Sequence, residues 1–205
     1  MPMRRARRLP DPAMPRIRTD ALDPSPTALL LVDFINPLRF DGADDLAASA
    51  TQAARCAERL RRRLSALGCR TIYANDNYGR WTSDFQRLWQ HCAAAPGAAG
   101  EMARRLAPRA RDFTLLKPRH SAFHATPLDL LLQQLHCKQL VIAGIAADSC
   151  VLFSAMDAYL RGYALWVPRD CVAAESDDAR DQALAQMARV LKAHTEPSTF
   201  GAPAR

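Results

Sequence analysis

Three polar residues stand where apolar runs stop: Asp33 closes LLLVD, Lys117 closes TLLK, and Cys150 follows LVIAGIAADS. A carboxylate, an amine and a thiol are the parts of a nucleophilic hydrolase. The sulfur attacks, the carboxylate takes the thiol proton and returns it to a leaving amine, and a nearby ammonium favours the charged sulfur. A cysteine at a helix start also meets unpaired N–H groups and the positive end of the dipole, so the sequence predicts a lowered thiol pKa at Cys150. Backbone N–H groups of the turn before that helix are candidates to hold the oxyanion of a tetrahedral intermediate. Taken singly, each residue also has a plain structural reading: a cysteine as a small buried hydrophobe, an aspartate as a helix cap, a lysine as a solvated strand end. Cys56, Cys69, Cys92, Cys137 and Cys171 receive that reading.

The elements that must position these groups are legible as apolar runs. Buried strands are predicted at Ala28 to Phe34, Thr71 to Asn75, Phe113 to Lys117, Leu140 to Ile145 and Ala164 to Pro168. Between them, Leu46, Ala50, Ala53, Ala57, Leu60, Leu64 and Leu67 recur at helical spacing, and Gly68 follows as a stop. Thr126, Pro127 and Asp129 form a helix start before the run Leu130 to Leu135. Further helices are predicted from Val151 to Arg161, ended by Gly162, and from about Ser176 to His194, with Leu184, Met187 and Leu191 inward. Near-continuous apolar strands alternating with helices imply a three-layer α/β/α fold around a mainly parallel sheet. In such sheets the carboxyl ends of the strands face the ligand crevice, which is where Asp33, Lys117 and Cys150 fall.

Composition bounds the rest. At 205 residues, with 49% hydrophobic and 24% charged residues, the chain suits one well-cored domain. The net charge is +7, but Arg4, Arg5, Arg7, Arg8, Arg16 and Arg18 place most of it at the start of the chain, among Pro2, Pro10, Pro12 and Pro15. Residues 1–26 are therefore expected to be a basic, proline-rich mobile arm and residues 27–205 a single hydrolase domain. Nucleic-acid binding is not expected of a body with so little excess charge. The opening MPMRRARRLP lacks the apolar stretch of a secretory signal, and no run reaches membrane-spanning length, so a cytoplasmic protein is expected. The six cysteines include no C-x-x-C pair, which argues against a zinc knuckle or redox dithiol.

The segments LLLVDFINPL, TLLKPRHSAF and LVIAGIAADSCV, in that order, together with VPRDCVAA from Val167, resemble the signature stretches of the isochorismatase-like cysteine hydrolases. The resemblance spans roughly Ala28 to Ala174 and implies an isochorismatase-like fold, with Asp33, Lys117 and Cys150 as acid, lysine and nucleophile. It further implies a cis peptide near Ala146 and Ala147, the oxyanion turn, where many members carry threonine in place of Ala147. Nicotinamidase-like members hold a metal with an Asp and His residues after the second strand. This chain has NDNYGRW there, with Asp76 followed by Tyr78, so no metal and no cofactor is expected. His91, His120, His124, His136 and His194 form no ligand constellation; His120 and His124 follow Lys117 and are candidates to line the pocket, although surface or structural roles are the favoured reading. Asn36, Asn77, Tyr78, Trp81 and Phe123 lie near the strand ends and are the candidates to shape a substrate pocket. The expected reaction is hydrolysis of a C–N bond in a small amide or ureido compound through a thioester. Its alternatives are hydrolysis of an isochorismate-type vinyl ether and a catalytically silent interaction scaffold. The expected partners are a small-molecule substrate and further copies of the chain in a homo-oligomer, with no membrane.

Overall fold

A computed structural model describes residues 22–82 and 84–199. Six strands form one sheet: β1 (Thr27–Val32), β2 (Arg70–Asp76), β3 (Phe113–Lys117), β4 (Gln139–Ile145), β5 (Ala164–Trp166) and β6 (Val172–Ala173). Their order is β3-β2-β1-β4-β5, with β6 also on β4, and every pairing is parallel. The helices are α1 (Ala43–Ala66), α2 (Phe85–Ala94), α3 (Gly97–Arg105), α4 (Leu128–Gln134), α5 (Leu152–Leu160) and α6 (Asp177–Leu191). A π-helical turn, Ala147–Val151, precedes α5, and a 3₁₀ turn, Arg169–Cys171, precedes β6.

Strand side chains alternate between two cores, because successive residues of a strand point to opposite faces. Ala28, Leu30, Val32, Ile72 and Ile142 pack with Leu128, Leu132, Ala155, Ala158 and Met187 of α4, α5 and α6. Leu29, Leu31, Tyr73 and Val141 pack with Leu46, Leu60 and Leu64 of α1 and Met102 and Ala103 of α3. The expected three-layer α/β/α architecture is therefore the observed one. Each fully buried leucine of β1 contributes about 1.5–3 kcal/mol relative to exposure, so the strand beside the site is among the best anchored.

Element ends depart from the expected positions for local reasons. Strand β1 stops at Val32 rather than Phe34 because Asp33 turns out of the sheet at φ 53. Helix α1 begins three residues early, after Gly42 at φ 85, with Asp44 and Asp45 in its first turn. Helix α6 ends at Leu191 because Lys192 adopts φ 56, while Ser176 caps its start by accepting from the Ala179 N–H (3.1 Å). Helices α2 and α3 and strand β6 are additions that the apolar pattern did not announce.

The assignment of residues 22–26 to a mobile arm needs correction. The Ser25 N–H donates to the Leu135 carbonyl (2.7 Å), the Pro26 carbonyl accepts from Lys138 and Gln139, and Asp23 pairs with Arg70 (2.6 Å). Those residues belong to the body; the arm's arginines up to Arg18 lie outside the described residues. No helix among the described residues is long and apolar enough to cross a membrane.

Candidate active site

The sheet brings the three candidate groups to one end. Strand order places β2 between β1 and β3, so with neighbouring strands about 4.8 Å apart the end of β3 lies about 10 Å from that of β1. A lysine stem crosses that gap. From the last residue of β3, fully buried Lys117 reaches over β2 and sets its Nζ 2.8 Å from Asp33 Oδ2 and 3.4 Å from Cys150 Sγ. Asp33 is 4% exposed; its Oδ1 accepts from the Asp76 N–H (2.8 Å), and its own N–H donates to the Ala74 carbonyl (3.0 Å). The Cys150 thiol completes the cluster through Lys117, close enough to Asp33 to be acted on by its charge.

Cys150 is carried by the π-helical turn that follows β4. The Ile145–Ala146 peptide is cis, in the turn near Ala146 and Ala147 where the resemblance implied one. Ser149 and Val151 both donate their N–H to the Ala146 carbonyl (3.1 Å each), and Ala147 is packed into the core. Ser154 Oγ, fully buried, donates to the Cys150 carbonyl (2.7 Å) and accepts from the Ala122 N–H (2.9 Å), tying the nucleophile's turn to the loop after β3. Beneath the turn, Gly144 pairs with Val32, and a Cβ there would lie 2.2 Å from the Val32 carbonyl oxygen. The glycine permits β4 to lie that close to the end of β1.

The electrostatics overturn one expectation. Burial first, and Asp33 second, push the Cys150 thiol up to about 12, against the opposing pull of Lys117. The resting sulfur is therefore a thiol, because desolvation and a carboxylate outweigh the ammonium. Burial by itself would lower the Lys117 pKa, but attraction to Asp33, then Cys150 and Asp76, holds it above the ordinary lysine value. Burial raises the Asp33 carboxyl above its usual range, with Lys117 pulling the other way, which suits a group that must carry a proton.

The five pocket candidates divide. Tyr78, although 43% exposed, has its hydroxyl pKa raised by desolvation and then by Asp33, Cys92, Asp76 and Cys150, so it borders the site. Asn36 and Asn77 are buried turn-formers: Asn36 Oδ1 accepts from the Leu38 N–H and Asn77 Oδ1 from the Gly79 N–H (2.8 Å each). Phe123 is 5% exposed within the core, with the Arg161 guanidinium 4.8 Å above its ring, and so does not line a pocket. Trp81 is 82% exposed and offers no wall to a crevice. His120, for which the sequence favoured a surface or structural role over a pocket-lining one, stands at the site. Its Nδ1 lies 3.6 Å from Cys150 Sγ and 3.2 Å from Ser149 Oγ, and its ring rests on Phe153 with centroids 5.6 Å apart. Only its position three residues after Lys117 hinted at this.

The metal site of nicotinamidase-like proteins does not fit these residues. Asp76 Oδ1 accepts from the Tyr78 N–H (2.5 Å), its Oδ2 is 3.9 Å from Lys117 Nζ, and a phenol stands where an imidazole would be required. Among the described residues no three His, Cys, Asp or Glu side chains gather to hold a metal ion.

The chain has known counterparts. The isochorismatase domain family matches residues 27–197, and the chain belongs to that family of hydrolases. An uncharacterized isochorismatase family protein of Bacillus subtilis, YaaI, is 38% identical over 164 residues, covering 80% of this chain and 90% of its own. A maleamate amidohydrolase of Pseudomonas putida is 28% identical, covering 75% of each chain. Among solved structures, N-carbamoylsarcosine amidase from Thermoplasma acidophilum is similar with a TM-score of 0.67 and 26% identity, over 87% of this chain and 99% of its own.

Proposed function

We propose that this hydrolase cleaves the C–N bond of a small amide or ureido compound through a thioester on Cys150. The observation that carries the reading is the ion pair of Lys117 and Asp33 held against the sulfur, at 2.8 Å and 3.4 Å from the same Nζ. Asp33 takes the thiol proton as sulfur bonds the carbonyl carbon, then delivers it to the nitrogen as the C–N bond breaks. Lys117 stays protonated throughout and stabilises the negative charge that moves between carboxylate and sulfur. N–H groups of the turn Ala146 to Cys150, apart from that of Ser149, which already donates to the Ala146 carbonyl, receive the oxyanion, since the first turn of a helix has donors without intrahelical acceptors. Water then cleaves the thioester, releasing the acid.

The relatives whose printed activities are amide hydrolyses support the amide class over a vinyl ether. The test is ammonia or amine release from a panel of small primary amides, carbamoyl and ureido compounds, with Cys150→Ala as control. Turnover that vanishes in the alanine variant supports the reading. Turnover of a vinyl ether that survives in that variant overturns it.

A further inference from the structure

Helix α5 is built inside out. The residues it turns inward are small, with Ser154, Ala155 and Ala158 buried. Its large apolar side chains stand outside: Phe153 at 49% exposure, Met156 at 37%, Tyr159 at 41% and Leu160 at 73%. A surface helix ordinarily does the reverse, burying its large apolar groups and leaving polar ones to solvent. Positions 153, 156 and 160 are spaced by three and four residues, so they form one stripe along the helix, with Tyr159 on one flank. The other flank carries Asp157 and Arg161, paired at 2.7 Å. The four exposed fractions amount to about 400 Å² of mostly apolar surface, a size at which a patch on a soluble protein is commonly an interaction site.

We propose that this stripe seats a second copy of the chain, with α5 packed antiparallel against its counterpart about a twofold axis beside Met156. A twofold contact requires a surface that complements itself. The apolar stripe does so in any direction. The charged flank does so when the helices run antiparallel, because Asp157 and Arg161, one turn apart and opposite in sign, then face Arg161 and Asp157 of the other copy. That flank carries no net charge, whereas a helix that lies on an anionic membrane is rimmed with lysine and arginine. A stable pair buries about 800 Å² per copy, apolar at its centre and polar at its rim; the stripe supplies about half of that as the centre, and the flanks form the rim. The contact reaches the active site. The Phe153 ring rests on the His120 imidazole with centroids 5.6 Å apart, and Nδ1 of that imidazole lies 3.6 Å from Cys150 Sγ. Phe153 and Leu160 stand on opposite sides of the axis, each about 5 Å from it along the helix, so Leu160 of each copy falls on Phe153 of the other. The second copy thereby covers Phe153 and the exposed His120 beside the thiol.

Sedimentation velocity of the full chain over about 1–100 μM tests the contact. Wild type is compared with Leu160→Glu, in the stripe, and with Leu67→Glu, another exposed leucine, at the end of α1 on the opposite side of the sheet; thermal melting checks that each variant folds. Wild type and Leu67→Glu are expected as dimers, or as assemblies of dimers. Leu160→Glu is expected to dissociate at least about a hundredfold more readily, because the axis brings two glutamates into each contact. A wild-type chain that is monomeric at about 100 μM overturns the proposal, whether the face then serves another protein, a membrane or nothing. Leu160→Glu that assembles like wild type also overturns it, because the contact then lies elsewhere. Covering of the site has its own readout: iodoacetamide should label Cys150 severalfold faster in monomeric Leu160→Glu than in the wild-type dimer, and an equal rate overturns the claim that the second copy reaches the site. None of these measurements uses amide turnover, so the contact and the proposed reaction stand or fall separately.

Discussion

Replacing Asp33 with Asn should make Cys150 a better nucleophile toward an alkylating agent while abolishing amide turnover. The thiol stands at about 12, with burial and then Asp33 as the causes. Removing a carboxylate charge about 4 Å away removes about 4 kcal/mol at an effective dielectric constant of about 20, or about 3 pK units. The thiol then falls toward the ordinary thiol value, paired with Lys117 at 3.4 Å. A less basic thiolate is also a weaker nucleophile, with a Brønsted slope of about 0.45, so roughly half the logarithmic gain survives. Iodoacetamide should therefore label Cys150 about 50 times faster in the variant at pH 7.5, read by peptide mass against the other five cysteines. Amide cleavage moves the opposite way because a leaving amine needs the proton that Asp33 carries and iodide does not. Its loss should be a hundredfold or more. Labelling equal to or slower than wild type in a variant that still folds would refute the electrostatic account of the thiol.

Four further outcomes are expected. In kcat/KM, which reports acylation, activity should rise on the acid side as Asp33 loses its proton, from a raised carboxyl, and stay flat to about pH 10; a rise centred at 8–9 would mark an ordinary thiol. Gly144→Ala should lower stability by about 3 kcal/mol or more, or prevent folding, because its Cβ meets the Val32 carbonyl at 2.2 Å and Val32 Cβ at 2.8 Å; denaturant unfolding measures it. Ser154→Ala should cost about 1–3 kcal/mol by leaving the buried Ala122 N–H without its acceptor, and should lower kcat through the loosened link between the nucleophile's turn and the loop after β3. Asp170→Ala should free the segment around Ser198, whose N–H and hydroxyl both donate to that carboxylate at 2.6 Å, seen as faster proteolysis there.

The residues that nucleate the site were legible because they interrupt apolar runs. Asp33, Lys117 and Cys150 follow strands with near-continuous hydrophobicity, and a parallel sheet puts such ends together whatever the intervening loops do. Helices α2 and α3 were not legible. They are short and broken at Pro96 and Gly97, and α3 is rich in alanine and glycine, so no long apolar stripe forms. Strand β6 has two residues, too few for a periodic signal. The protonation of Cys150 was misjudged because a helix start can be read along the chain but burial cannot. His120 was hidden for the same reason: its contact with the sulfur depends on how Ser121 and Ala122 are pinned to α5, thirty residues away in sequence. Phe123, three positions on, looked equally placed for a pocket and is core.

The central claim is that the sulfur of Cys150 becomes covalently bonded to the acyl half of an amide. Rapid mixing of the wild-type chain with an amide that it turns over, acid quenching within one turnover and peptide mass spectrometry measure this directly. The account predicts a transient mass gain equal to the acyl group on the peptide bearing Cys150, appearing with the first equivalent of released amine and absent from Cys150→Ala. Amine release at full rate with no adduct on that peptide, or with the alanine variant still active, would contradict it.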